Sequence, residues 1–557
     1  MERASKWFAG FVRCLGIGIV GYLFLQGLFT ICTIQSVTER TFYVRSHALY
    51  GAAGLGISVL LFWALYRFGG GALERFEKVL VPAGMLFSAV FLIWWMSQTQ
   101  FWYWGDEEKI FQCAQQYLAG DYRGWKPGGY AYMWKHQNGM ILFVAGLLRF
   151  FEAHTVFWIF RLLNILFYEL TIFFLWRTFG RIFADRRLGV IQAAMLLLFF
   201  PYGLYCVMFY GNVIGLGFAV LAVYLTVVYL ETGGGGYLCG SAAAMILSII
   251  FKQNDAIILV GLFLLLLLQP MGERKLTLKK AGAAAAFVAA VVLGVQVPDV
   301  LVEACTGMDL SGAGNSMYAH IAMGLQDSED APGWYNTYNE AVFAECGYDK
   351  KETARAAKHS IVETLQYYAD NPGEGWFFIH RKLASEWNNP TFEGFHMQNA
   401  RMTAEELSPV VKSTINDGGK LNILLTFFLD IYESVVLFGI LLYLAAAKDA
   451  DVKHLFFVLL LIGAFVFFAV WEAKGRYVAP FYLMVLPYAA AGYQTLCAGG
   501  RGRETAKRTV LVMAVLAFFI YISNVDVLND SLKLGTQSEE YYEYIHEYNS
   551  NFMNFRY

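Results

Sequence analysis

Thirteen runs of apolar residues, most of them about long enough to cross a bilayer, set what this chain can fold into. They fall near 11–33, 47–66, 80–100, 156–176, 188–206, 212–230, 236–251, 255–269, 281–297, 420–446, 454–470, 477–497 and 508–524. A spanning helix needs about 20 such residues for a hydrocarbon core of roughly 30 Å, because lipid leaves its backbone polar groups no partner but each other. Composition agrees. The chain is 57% hydrophobic and 15% charged, where soluble domains carry roughly 25% charged residues. A soluble fold of 557 residues could not hide that apolar surface. A disordered chain is excluded for the same reason, and a net charge of −2 leaves no footprint for nucleic acid. The expected fold class is an all-α polytopic membrane protein with about 13 transmembrane helices.

Two segments need a separate reading. Residues 139–151 are apolar but too short to cross, so a helix lying at the interface is expected. Residues 236–269 read as one broken pair or a re-entrant element. Sidedness follows from Lys and Arg in short loops. With the N-terminus cytoplasmic, the loops 1–13, 67–79, 177–187, 231–235, 270–280, 447–454 and 498–509 hold 20 Lys and Arg against 9 acids. The long loop 298–419 holds 18 acids against 8 bases and falls on the other side. Counting 139–151 as a span would throw the Arg177/Arg181/Arg186/Arg187 loop outside. A multi-pass cell-membrane protein is expected, with the large loop and C-terminal tail extracytoplasmic.

The resulting divisions are N-terminal transmembrane helices over 1–100, a first extracytoplasmic loop with its interfacial helix over 101–155, and a transmembrane core over 156–297. A mainly helical extracytoplasmic module follows at 298–419, then C-terminal helices at 420–524 and a polar, Tyr-rich tail at 525–557. Within the module, Asp349 is placed to cap a helix running to about Asp370, stopped by Asn371-Pro372. A second helix over 374–388, rich in Trp and Phe, could rest on the membrane surface. Cys305 and Cys346 share this module and could pair, or stay free, if it faces an oxidising compartment.

Chemistry must come from the few charges beside the spans. Asp106 and Glu107 follow Phe101-Trp102-Tyr103-Trp104; one of these acids could act as a general base, or both could simply favour the N-terminus of a helix. His136, in Lys135-His136-Gln137-Asn138, could donate to a phosphate or merely anchor a helix start. Arg161 stands among Phe, Ile and Leu, where a charge is costly unless it faces an interior or snorkels. Lys252 interrupts two apolar segments, as a turn residue or as a cation for a lipid phosphate. Glu472, Arg476 and Tyr477 join two spans; Glu472 and Arg476 could pair, or Arg476 could bind phosphate. The topology puts all of these on one side. Gly16-Ile17-Gly18-Ile19-Val20-Gly21 matches a dinucleotide fingerprint, but within a membrane span it fits close helix packing instead.

In the order and spacing of these features across 100–500, the chain resembles the GT-C superfamily of membrane glycosyltransferases. The likeness is to family 39-like bacterial members, related to protein O-mannosyltransferases and aminoarabinose transferases. Asp106-Glu107 stands in the place of that family's acidic pair. His136-Gln137-Asn138-Gly139, leading to Leu148-Arg149-Phe150, stands for its His-Pro-Pro-like element, with Gln and Asn where the prolines would be. Arg161-Leu162, Phe200-Pro201-Tyr202 and Arg476-Tyr477 with Pro480 follow in register. The resemblance implies transfer of a sugar from a polyprenyl-phosphate donor to an acceptor hydroxyl of an envelope glycan, lipid or protein. It implies Asp106 as base, helped by Glu107, with His136, Arg161, Lys252, Glu472, Arg476 and Tyr477 toward the donor phosphate. No cofactor is required; some members use a divalent cation, and no ligand cluster here demands one. The rival readings are a transporter or flippase of lipid-linked glycans, and a GT-C-like protein that binds without catalysis. A transporter places its charges at the membrane midplane on broken helices; here they sit at the ends of spans.

Overall fold

Nearly every element is a helix because the apolar runs leave the backbone no alternative in lipid. The computed structural model describes residues 2–34, 39–46, 48–98, 103–183, 185–269, 276–399 and 407–497, and beyond them 513, 516–525, 527 and 528. Part of the loop 270–280, all of the loop 498–509, part of the run 508–524 and almost all of the tail 525–557 lie outside the described residues. Among those described, the sheet is a single antiparallel hairpin, β1 (Thr30–Ile34) paired with β2 (Thr41–Arg45). It cuts the first helix short, at Phe29. The β-branched run Thr30-Ile31-Cys32-Thr33-Ile34 favours a strand over the last turn expected from the sequence.

Six helices among the described residues are long and apolar enough to cross a membrane: Arg3–Phe29, Ala48–Ser97, Ala153–Ile182, Asn212–Thr232, Gly282–Thr306 and Lys420–Ala446. A seventh arises if Arg186–Leu198 and Phe200–Val207, bent by 52° at their break, count as one span. The count of about 13 is not reached by this measure, for physical reasons. Gly235–Phe251, Gln253–Leu268 and Phe456–Val470 are apolar but short; at about 1.5 Å per residue such helices fall short of the hydrocarbon thickness. The run 477–497 divides into Gly475–Val485 and Pro487–Cys497. The runs 47–66 and 80–100 are joined without a loop through a π-helical turn at Leu65–Gly69. Their arms return to one level: Gly54 faces Ile431, Gly84 faces Leu197, and Tyr432 donates to the Met195 carbonyl between them.

The short basic loops gather at one end of the bundle. Arg181 and Lys453 both pair with Glu231, at 2.5 and 2.8 Å. Gln269 donates to Asp451 at 2.9 Å, and Arg187, Tyr66 and Gln494 converge on Asp185. Residues 298–419 cover the opposite end. There the Asp349 carboxylate caps the helix Lys350–Asp370 by accepting from the amides of Lys351 and Glu352. The helix Pro372–Trp387 departs from expectation. Trp376 and Phe377 at its start are exposed, but Arg381, Lys382, Ser385, Glu386 and Trp387 are buried. Lys382 Nζ donates to the carbonyls of Gly324 and Trp471 at 2.5 and 2.6 Å. This helix is an internal strut, because buried polar groups on its later turns need protein partners. Asn138–Leu148 is a short helix as expected, packed inward through Met140, Ile141 and Val144. Cys305 and Cys346 are free thiols.

Candidate active site

A cavity of about 60 Å³ opens at the end of the bundle that residues 298–419 cover. Trp104, Asp106, Glu107, Met208, Tyr210, Asn212, Lys252, Arg476 and Tyr477 line it. Four segments distant in sequence meet here, and each arrives for a local reason.

Asp106 opens the helix Asp106–Leu118 after Gly105, whose φ of +58° turns the chain sharply into it. The Asp106 side chain does not cap this helix. It stands open to solvent through the mouth of the cavity. The protein enclosing its other sides pushes the carboxyl above the ordinary carboxylate range, against the pull of Arg476, the nearby Tyr130 hydroxyl and Lys252. Glu107, one residue on, is buried.

Lys252 sits at the break between Gly235–Phe251 and the short turn Gln253–Asp255, in extended backbone. Two glycines of the facing segment make that break possible. A Cβ at Gly211 would lie 2.0 Å from the Phe251 carbonyl oxygen, and one at Gly215 would lie 2.7 Å from Asp255 Oδ2. The Lys252 ammonium lies over the rings of Tyr210 and Tyr477, 4.7 and 5.4 Å from their centroids. Among the described residues no carboxylate stands within ion-pair distance of it. Burial lowers its pKa to about 8, resisted mainly by Asp255. With ring faces against it and no carboxylate in ion-pair contact, the ammonium has hydrogens left to donate to a ligand.

Arg476 and Tyr477 begin the helix Gly475–Val485. The pairing of Arg476 with Glu472 is not what forms. Arg476 NH1 stands 3.4 Å from Glu39 and 3.4 Å from Glu393, while Glu472 accepts from the Tyr477 hydroxyl at 3.4 Å. Glu39 also pairs with Lys474 and, at 3.0 Å, with His396. Burial alone would raise the Glu39 pKa, but Lys474, His396 and Arg476 outweigh it and hold the carboxyl well below its usual range.

Asp106, Glu107, Lys252, Arg476 and Tyr477 are therefore brought together, and three other residues singled out in the sequence are not in the cavity wall. Arg161 is buried in the span Ala153–Ile182, its guanidinium 3.5 Å above the Phe157 ring centre. His136 lines a separate, smaller cavity with Lys135, Gln253 and Asp299. Its neighbour Gln137 reaches the wall instead, by donating to the Tyr210 hydroxyl. Glu472 stands behind Tyr477. Sequence reasoning passed over Tyr210, Asn212, Glu39, Glu393 and His396. Tyr210 precedes Gly211 at the start of a span, a signal that could have found it. Glu39, Glu393 and His396 enter through tertiary folding alone.

A carboxylate open to solvent thus faces two cations across a small aromatic-walled cavity. Residues 140–297 match the family model described as dolichyl-phosphate-mannose-protein mannosyltransferase, a family of the GT-C superfamily, so the resemblance read from the sequence is shown over this stretch. The matched stretch contains Met208, Tyr210, Asn212 and Lys252; Asp106 and Arg476 stand on either side of it. No curated protein matches the chain. Over that stretch the chain is similar to a GT-C glycosyltransferase family, and its long apolar helices are those of a multi-pass membrane protein.

Proposed function

We propose that the chain transfers a sugar from a polyprenyl-phosphate donor to an acceptor hydroxyl, with inversion, on the extracytoplasmic side of the membrane. The observation that carries this reading is the convergence of Asp106, Lys252 and Arg476 on one cavity. Asp106 takes the proton of the acceptor hydroxyl. The freed oxygen forms a bond to the anomeric carbon as that carbon's bond to the phosphate oxygen breaks, and the electron pair leaves on the phosphate. Lys252 and Arg476 stabilise the growing phosphate charge, in a site whose wall excludes much of the water that would screen them. Tyr210 and Tyr477 hold the Lys252 ammonium between their faces. The reaction as written uses no cofactor. The acceptor is an envelope glycan, lipid or protein.

The positive-inside rule supports this side of the membrane, since the basic loops gather at the end away from the cavity. The test uses membrane vesicles, polyprenyl-phosphate sugars labelled in the sugar, and variants Asp106→Ala and Asp106→Asn. Loss of labelled product in both, at normal expression and insertion, supports Asp106 as the base. Transfer at the wild-type rate by both overturns that assignment. Movement of label across the membrane without a new glycosidic bond points to a flippase.

A further inference from the structure

We propose that Glu39, on the hairpin between the first two membrane segments, is a positioning residue that presents Arg476 to the donor phosphate. The inference rests on the reading of the cavity as a phosphate site. It adds a residue that lies more than 60 positions before the acid pair and about 100 before the stretch matched by the family model.

The geometry around Arg476 is one-sided. Its NH1 is held by Glu39 Oε1 and Glu393 Oε2, each at 3.4 Å, with Met397 Sδ at 3.6 Å. Its backbone amide donates to Glu393 Oε1 at 3.1 Å. Among the described residues, Nε and NH2 make no hydrogen bond, and the side chain lines the cavity. One amino group is clamped, and the opposite edge of the planar fork is left for a ligand. That edge is what binds a phosphate through two parallel hydrogen bonds.

The clamp is built into the backbone. Glu39 and Glu393 both hold positive φ, +60° and +64°, and Phe392 holds +45°. Side chains rarely adopt such conformations unless the surroundings fix them. Here they do. The Phe392 carbonyl accepts from the Tyr205 hydroxyl. Beyond Glu39, Thr41 donates its amide and hydroxyl to the Asp330 carbonyl at 3.0 and 2.8 Å. Tyr43 donates to the Arg381 carbonyl at 2.9 Å, and the Cys32 amide donates to the Asn388 carbonyl at 2.8 Å. The hairpin is thus fastened to the 298–419 module, and Glu39 reaches from it to Lys474, His396 and Arg476. An arginine held in its binding rotamer gives up less freedom when a phosphate arrives.

The test measures binding of farnesyl phosphate to the purified full-length chain in detergent, with farnesol as the phosphate-free control. The preference for phosphate over alcohol is the readout, which a general loss of packing would not change selectively. Glu39→Gln should reduce that preference about tenfold, and should add less than about twofold in an Arg476→Ala background, because the two act through one contact. Glu39→Gln leaves buried Lys474 without its counter-ion; Glu39→Gln with Lys474→Met restores the charge balance and carries the same expectation. If Arg476→Ala reduces the preference and neither Glu39 variant does, the positioning role is overturned and the phosphate site stands. The role is also overturned if the effects of Glu39→Gln and Arg476→Ala multiply in full. If Arg476→Ala leaves the preference intact, the phosphate reading of Arg476 fails and this inference fails with it.

Discussion

The two ends of the helical bundle treat charge in opposite ways. At the end with the short basic loops, Arg181, Lys453 and Arg187 each meet a carboxylate, and their side chains remain partly exposed. Such pairs are screened by water and lower the energy of the fold only slightly. At the cavity end, Arg476 is clamped on one edge, Lys252 rests on ring faces, and Asp106 opens toward both. Charges held there are costly to keep without partners. On the proposed function the contrast separates orientation from chemistry: basic residues at one end set the side of the membrane, and those at the other end face the donor phosphate.

The contrast breaks first at Asp106. Asp106→Asn keeps the shape and removes the base, so transfer should fall about 10²–10⁴-fold with donor binding little changed, the range expected for general-base catalysis. Single-turnover transfer and farnesyl phosphate binding, measured on the same preparation, separate the two. Lys252 comes next. Lys252→Gln should reduce transfer about 10²–10³-fold by removing charge stabilisation of the leaving phosphate. Its titration gives a second handle. The Lys252 pKa is lowered to about 8, so the cation is present below that pH and is lost as pH rises through it. The Asp106 carboxyl is raised, so the base becomes available only above its ordinary range. The profile of kcat/KM should be a bell whose alkaline limb lies near pH 8 in the wild type and moves upward in Lys252→Arg. An unmoved alkaline limb removes Lys252 from the reaction.

A smaller effect should follow from the glycines that seat Lys252. Gly211→Ala would place a Cβ about on top of the Phe251 carbonyl oxygen, 2.0 Å away. Overpacking of this kind costs about 1–3 kcal/mol, and the displaced break should carry Lys252 with it. Transfer should fall about tenfold, since small misplacements of binding groups act on rate. Gly146→Ala, with nothing within 4 Å of the new carbon, is the control and should be neutral. Equal effects of the two on activity would show that the break does not position Lys252.

The sequence made the membrane class, the broken segment 236–269 and the capped helix after Asp349 readable, because each depends on local composition: apolar length, a polar interruption, an acid before a helix. Five of the eight candidate residues also met in the cavity, because end-of-span positions on one side of a bundle are pushed toward each other. The span count is not confirmed where runs of similar hydropathy break into short helices, as at Lys252 and Pro487. Arg161 and His136 stand outside the cavity wall for different reasons. A buried arginine can be accommodated by an aromatic ring, as Arg161 is by Phe157, and next to His136 it is Gln137 that reaches the wall residue Tyr210. Glu39 and Glu393 could not be read at all. Their role lies in left-handed backbone and in contacts hundreds of residues apart, which leave no spacing in the chain.

The smallest expected effect tests the other side of the comparison. Arg181 pairs with Glu231 at 2.5 Å, both about one-third exposed, and Lys453 meets the same carboxylate. Arg181→Gln leaves Glu231 with Lys453, so no charge is stranded, and the loss in stability should be about 0–1 kcal/mol. Transfer should stay within about twofold of wild type, because a partly exposed pair at the far end is screened over the length of the bundle. Thermal unfolding and vesicle transfer on one preparation measure both. A tenfold loss of transfer without a change in unfolding or in membrane orientation would couple the far end to the cavity and collapse the distinction between orienting and reacting charges. An inverted orientation would instead locate Arg181 among the residues that set sidedness, which is where its loop already places it.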